Sequence, residues 1–253
     1  RSYSSKDPIE QKQSLIEIIQ LLTLMGLSRS AFFHRASFYG GSSTRILHHL
    51  PRFSEDLDFS LNKPDFSFQL EDYFPFIQEN LEAYGFSMTI NKNEIQFSHN
   101  DSLKIKFEVD IDPPLFANAE VNYLLEPIPF SLRSYDLPSL FSGKIHAILC
   151  RKWKNRVKGR DYFDYIWFLS KNIPVNMKHL EARLRQSNTL EDGQDLTKTL
   201  LEKMLIDRFE KVSFEKAKAD VLTFIRDYSS LDLWSSKFFI QITQKTLICD
   251  KTE

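Results

Sequence analysis

Gly40-Gly41-Ser42-Ser43-Thr44-Arg45-Ile46-Leu47-His48-His49-Leu50-Pro51-Arg52-Phe53-Ser54-Glu55-Asp56-Leu57-Asp58-Phe59 is the stretch on which the reading of this chain turns. The apolar run Ala36 to Tyr39 leads into two adjacent glycines, a compact helix is predicted from Ser42 to about Leu50, and Pro51 stops it. Leu57 to Leu61 then reads as a strand with Asp58 between apolar neighbours. A Gly-Gly-Ser-Ser turn at a helix start offers unobstructed backbone N–H groups, two hydroxyls and the positive end of the helix dipole, which together can cradle phosphate. Asp56 and Asp58, two residues apart, project to the same side of a strand. Carboxylates that close repel each other unless a cation or base sits between them. Hard oxygen ligands joined by phosphate oxygens suit Mg2+, and two-metal phosphoryl chemistry uses such a pair. Each half alone has a plainer reading: glycines often serve only backbone geometry, and acids after a proline are often a solvated turn. Glycine turn, short helix and Asp-x-Asp on the next strand, in that order, are far more specific than either half.

Outward from this stretch the first half of the chain alternates helix and strand. Ser14 to Leu27 carries Leu15, Ile18, Ile19, Leu22 and Met25 at helical spacing, and residues 72–84 also read as helix. Strands are predicted at Ser87–Asn91, Glu94–His99 and Leu103–Ile111, and Asp112-Pro113-Pro114 ends the last of them. From Pro138 onward the pattern is helix after helix: 138–154, 160–170, 177–186, 195–210 and 213–227, with Ser213 an N-cap for the last. Pro127, Pro129 and Pro138 mark a boundary near 130–137. The expected fold is therefore α+β: a lobe over 1–135 with a small mixed sheet, followed by a mainly helical lobe over 136–253.

The second informative region is Lys144-Ile145-His146-Ala147-Ile148-Leu149-Cys150-Arg151, followed by Arg160-Asp161-Tyr162-Phe163-Asp164. Lys144 and Arg151 are close to two helical turns apart, so both emerge on one side, while Leu140, Phe141, Ile145, Ile148 and Leu149 form the apolar face. An exposed helix lysine is ordinarily solvated, and Asp161 alone could simply favour a helix N-terminus. Arg151, Lys152, Lys154, Arg156, Lys158 and Arg160 place six cations in ten residues around Trp153, with no acid from 144 to 160. That run is either a solvated surface or an electrostatic platform for an RNA backbone with an aromatic available for stacking.

The wording of the first region resembles the opening motif of polymerase-beta-like nucleotidyltransferases, and within them the AbiEii/AbiGii toxin family (MenT/AbiEii-like). Ser43-Thr44-Arg45 departs from the Thr-Ala-Leu-Arg often found there, yet keeps a hydroxyl beside the phosphates. The second region matches the same family's K-x-x-A-x-x-x-R and R-D-x-x-D at Lys144, Ala147, Arg151, Arg160, Asp161 and Asp164. The resemblance implies a nucleotidyltransferase lobe and, for the site, Asp56, Asp58, Lys144 and Asp161 as catalytic residues. It implies nucleotide contacts from Gly40, Gly41, Ser42, Ser43, Arg45, Arg52, Ser54, Lys144, Arg151 and Asp164, with Lys144 neutralising the triphosphate or leaving pyrophosphate. The metal, Mg2+ or Mn2+, falls to Asp56 and Asp58. Relatives in the superfamily add a third acid from a neighbouring strand. Glu108, Asp110 and Asp112 share a face, and Asp110 is the central choice, although the polar side of an edge strand would show the same alternation. The reaction implied is transfer of a nucleoside monophosphate from an NTP to RNA, with a tRNA 3′ end as leading acceptor, arrest of translation and growth as the outcome, and a cognate antitoxin as restraint. Two rivals stand beside it: a catalytically weak nucleotide- or RNA-binding module, and nucleotidyl or phosphoryl transfer to a protein.

Bulk properties set the limits. At 253 residues with 42% hydrophobic residues, 22 of the chain's residues being Phe, there is material for a large core. A formal net charge of −1 gives no hint of a nucleic-acid partner, so any basic surface must be local. Cys150 and Cys249 form no metal spacing, and with no signal-like opening the expectation is reduced thiols in a cytoplasmic protein. Leu15 to Leu27 is the most apolar stretch, but Glu17 and Gln20 interrupt it, so no membrane span is expected. The six His residues form no ligand ladder, and His48-His49 read as surface or packing residues.

Overall fold

The computed structural model describes residues 7–91, 94–99, 101–152, 157–191 and 193–250, with backbone alone at positions 88, 90–91, 94–99 and 101–102. Trp153, Lys154 and Arg156 of the basic run lie outside the described residues. The chain divides into two compact units: residues up to His49, Phe53–Pro113 and Ala119–Tyr135 form the first, and Leu50–Arg52, Pro114–Asn118 and the chain from Asp136 form the second.

In the first unit α1 spans Pro8–Ser28, longer than the apolar pattern because Asp7 caps it, its side chain accepting the Ile9 N–H at 3.0 Å, and Pro8 stands where its missing N–H costs nothing. After α2 (Phe32–Arg35), β1 (Ala36–Tyr39) runs into α3 (Gly40–His48), β2 covers Leu57–Leu61 and α4 covers Phe74–Glu82. The glycine pair is thus the first turn of α3 itself, and His49, left-handed at φ 59°, ends it before Pro51. Strands β3 (Ser87–Asn91), β4 (Glu94–His99) and β5 (Asp101–Asp110) stand where the alternation places them. Two further strands, β6 (Ala119–Leu124) and β7 (Phe130–Tyr135), occupy the stretch read as a proline-marked boundary. They make the sheet larger than expected, seven strands in the order β3-β4-β5-β2-β1-β7-β6. Pro127 and Pro129 sit in the turn joining β6 to β7, where no ladder hydrogen bond is lost.

Register sorts the sheet into two faces. β1 pairs antiparallel with β2 (Phe38 opposite Phe59), β2 parallel with β5 (Phe59 opposite Val109), and β1 parallel with β7 (Phe38 opposite Ser134). One face therefore gathers Phe38, Leu57, Phe59, Ile105, Phe107 and Leu132, all buried in a core with α1, α2 and α4 residues. Phe32 from α2 is its hub, edge-on to Phe59 at 4.9 Å and to Tyr73 at 5.0 Å, while Phe59 stacks on Phe107 at 4.8 Å. The other face carries Tyr39, Asp58, Ser60, Glu108 and Asp110.

The second unit holds α5 (Leu137–Cys150), α6 (Gly159–Ser170), α7 (Met177–Gln186), α8 (Lys198–Lys211), α9 (Phe214–Val221) and α10 (Ser236–Thr246). Ser213 caps α9, accepting the Lys216 N–H, as the sequence suggests. Helix α10 lies beyond the last helix that the sequence pattern marks, and its Phe239 is fully buried against Tyr162, Phe209, Phe214 and Trp234. No helix among the described residues is long and apolar enough to cross a membrane.

Phe59→Ala would remove the ring shared by Phe32, Phe33, Phe38 and Phe107 directly beside Asp58. We expect about 3–5 kcal/mol of lost stability in urea denaturation, the cost of truncating a fully buried aromatic.

Candidate active site

The first cluster is built at the junction of β1, α3 and β2. Tyr39, last in β1, lies opposite Asp58 in β2, so the chain enters α3 directly beside that carboxylate. Gly40 takes φ +81°, and a β-carbon there would stand 2.4 Å from Asp58 Oδ2. Only glycine meets both demands, the left-handed backbone and the missing side chain. The Tyr39 side chain makes no cap bond to α3, and the start of the helix, with the positive end of its dipole, lies beside the end of the sheet that carries Asp58. Asp56 and Asp58 are both partly exposed. On the neighbouring strand Lys106 bonds Glu108, and that bond, backed by the negative charge of Glu108, Asp56 and Asp58, holds its ammonium above the ordinary lysine value.

The three hydroxyls of the turn are used differently. Ser42 donates to the Asp56 carbonyl and Thr44 to the Gly40 carbonyl at 3.0 Å. The fully buried Ser43 hydroxyl has no partner among the described residues. Ser42 therefore ties the turn to the acidic loop through its side chain rather than offering a proton to phosphate. Arg45 turns toward Glu17 of α1 at 3.4 Å and lies over the Phe53 ring at 5.1 Å. Gln20, also from α1 and also buried, donates to the carbonyls of Ser54 (3.1 Å) and Asp56 (3.4 Å). Gln20 was missed in the sequence, where it looks like a polar interruption of an apolar helix.

The second cluster lies wholly in the second unit. Arg52 grips Asp164 with two parallel bonds, Nε to Oδ1 at 2.5 Å and a terminal nitrogen to Oδ2 at 2.6 Å. Lys144 Nζ stands 2.8 Å from Asp164 Oδ2 and 2.8 Å from Asp161 Oδ1, and Arg151 Nε approaches Asp161 Oδ2 at 3.2 Å. The side chains of Arg52, Asp161 and Asp164 are all buried, whereas Arg151 is 42% exposed. Burial alone would push the Lys144 ammonium down, but the charges of Asp161 and Asp164 outweigh it and leave its pKa raised. Burial would likewise raise both carboxyls. Lys144, Arg151 and Lys158 overcome it at Asp161, Arg52 and Lys144 at Asp164, and both stay below the usual carboxylate range. Arg52 and Asp164, expected at the nucleotide, are here paired with each other in the interior, where a buried charge needs a partner.

The family profile for the nucleotidyltransferase AbiEii toxin of type IV toxin–antitoxin systems matches residues 22–237, which include both clusters. The chain belongs to the AbiEii nucleotidyltransferase toxin family. No curated protein matches it. Among solved structures it is similar to MenT4, a nucleotidyltransferase toxin from Mycobacterium tuberculosis H37Rv, at 16% identity and a TM-score of 0.61 over 97% of this chain and 90% of that one. A Helicobacter pylori protein provisionally described as a nucleotidyltransferase shares 16% identity at a TM-score of 0.53, over 93% of this chain and 95% of its own. JHP933, also from Helicobacter pylori, shares 16% identity at a TM-score of 0.51 over 93% and 92%. At such identities the likeness carries the fold, and the profile carries the activity.

A nucleotidyltransferase of this family works on NTP with a divalent metal. The chemistry of the donor set fits one, since Asp56 and Asp58 offer hard oxygens beside a backbone stripped of its side chain at Gly40. Among the described residues no three acidic, His or Cys side chains gather as a metal site would. Asp110 lies on the same face of the sheet as Asp58, one pair further along. Register sets it opposite Ser60, with Glu108 taking the place opposite Asp58, and Asp110 Oδ1 accepts the Asp112 N–H at 3.1 Å.

Two outcomes test this geometry. Gly40→Ala should cost about 1–2 kcal/mol in left-handed strain, displace the Asp58 carboxylate, and lower triphosphate affinity at least about tenfold in a fluorescent-nucleotide titration. Asp164→Asn leaves two buried cations short of one negative charge, a loss of about 3–5 kcal/mol in urea denaturation. Because Asp164 titrates below its unfolded value, its contribution is complete above the ordinary carboxylate range and fades as pH falls through the folded value. Stability of the wild type should therefore drop below about pH 4 more steeply than that of Asp164→Asn.

Proposed function

We propose that the chain transfers a nucleoside monophosphate from an NTP to an RNA acceptor, a tRNA 3′ end first among them, and so halts translation until its antitoxin relieves it. The observation that carries this reading is the packing of Asp58 against bare Gly40 backbone at the head of α3. An anion-binding turn and a cation-binding acid there share a space that a single methyl group would fill.

Backbone N–H groups at Gly41 and Ser42 hold phosphate oxygens, and Ser43 keeps an unspent hydroxyl behind them. Asp56 and Asp58 hold Mg2+ or Mn2+, which supplies neutralisation of the triphosphate and activation of the attacking hydroxyl. The acceptor oxygen bonds to the α-phosphorus as the bond to pyrophosphate breaks. Lys144, kept charged by Asp161 and Asp164, neutralises the departing pyrophosphate. Asp161 orients Lys144 and Arg151, and the pair Arg52–Asp164 holds the ammonium from its other side. Support for RNA as acceptor comes from the exposed Arg151 and Lys152, at the start of a run whose every charge is positive.

The protein is incubated with each labelled NTP, Mg2+ and total RNA, beside Asp56→Ala and Lys144→Ala. We expect label in RNA from a restricted set of NTPs, reduced at least about 100-fold in both variants, the scale for loss of a charge-stabilising group. Label on polypeptide would move the acceptor to protein, and undiminished labelling by Asp56→Ala would overturn the site.

A further inference from the structure

The acidic loop after Pro51 reaches Asp56 as irregular backbone, yet Asp56 must be held still if it is to bind a cation. Two side chains hold it, and neither is a metal ligand. Ser42 of α3 and Gln20 of α1 both donate to the Asp56 carbonyl oxygen, and Gln20 donates its second amide hydrogen to the Ser54 carbonyl two residues earlier. Gln20 is 1% exposed, on the face of α1 that packs into the core, where a leucine would be the ordinary choice.

The chemistry of the amide decides its orientation. With two carbonyl oxygens in front of it, the side chain must present nitrogen, because oxygen there would face two acceptors with no hydrogen between them. Its own Oε1 is buried and has no partner among the described residues. A buried amide left half-satisfied is costly, so packing alone does not account for it.

We propose that Gln20 is a positioning residue of the metal site, fixing the Asp56 backbone so that the carboxylates of Asp56 and Asp58 meet a divalent cation together. The inference rests on the metal-binding role given above to Asp56 and Asp58. Ser42 links the same carbonyl to the phosphate-binding turn, so turn and acidic loop are clamped at one atom. Gln20→Leu keeps the volume and removes both donors, whereas Gln20→Glu presents anionic oxygen to the carbonyls.

Mn2+ is titrated into the wild type, Gln20→Leu, Gln20→Glu and Ser42→Ala, with bound ion read from the loss of the free-ion paramagnetic resonance signal. The Mg2+ dependence of transfer is measured in parallel. We expect about 5- to 10-fold weaker Mn2+ binding in Gln20→Leu, a larger loss in Gln20→Glu, and a smaller one in Ser42→Ala. Transfer by Gln20→Leu should return toward the wild-type rate at high Mg2+, which a merely unfolded fraction would not do. Equal Mn2+ affinity in folded Gln20→Leu and wild type overturns the proposal. Should Gln20→Leu not fold, equal affinity in Ser42→Ala overturns the clamp at the same carbonyl. Failure of the wild type itself to bind Mn2+ strikes instead at the metal role of Asp56 and Asp58, and the proposal falls with it.

Discussion

The Asp58 carboxylate lies so close to the α-carbon of Gly40 that a β-carbon would overlap it. Much of the first unit follows from that contact. It requires the antiparallel register that sets Tyr39 opposite Asp58, and that register sends every second residue of β2, including Phe59, into the core. A one-residue slip would bury Asp58 and expose Phe59, so the aromatic core and the acidic site enforce the same alignment. The positive end of α3 beside the acids offsets part of the repulsion between them. This is how two carboxylates persist near each other at the head of a strand with one aliphatic residue between them.

The sheet separates its duties by face. Phe32, Phe59 and Phe107 occupy one side with α1, α2 and α4, while Asp58, Ser60, Glu108 and Asp110 occupy the other. A rigid aromatic layer directly behind the carboxylates limits their motion without touching them, since close-packed interiors yield little. The helix on the packed side buries several polar side chains, Ser14, Glu17, Gln20 and Thr23, and of these Gln20 reaches the acidic loop.

What could be read from the sequence follows from how local the determining signals are. Leu57–Leu61, the glycine pair and the Lys144 to Asp164 spacing are written in contiguous residues and stand where the pattern puts them. Strands β6 and β7 were hidden because the prolines in and after their turn imitate a linker, although Ala119, Val121 and Tyr123 do alternate with Glu120 and Asn122, here with Val121 and Tyr123 facing outward. Partnerships across the chain were hidden too. Nothing in the sequence shows that Arg52 is consumed by Asp164, more than a hundred residues on, or that Asp110 falls opposite Ser60 rather than Asp58. Side-chain type and spacing propose ligands, and only register and burial reveal which of them are already engaged.

The buried cluster around Lys144 limits what chemistry that residue can do. A lysine serves as a proton acceptor only if its surroundings lower its pKa toward neutrality, usually by burial or neighbouring cations. Burial acts in that direction here, and so does Arg52, but two carboxylates at 2.8 Å reverse the balance and leave the ammonium more firmly protonated than in water. Lys144 is thus a fixed positive charge over the whole physiological range, suited to stabilising an anion and unsuited to taking a proton from an attacking hydroxyl. The second carboxylate is what makes this robust. Asp164 is itself saturated by the Arg52 fork, so it can neither rotate away from Lys144 nor pick up a proton without leaving a guanidinium unpaired in the interior.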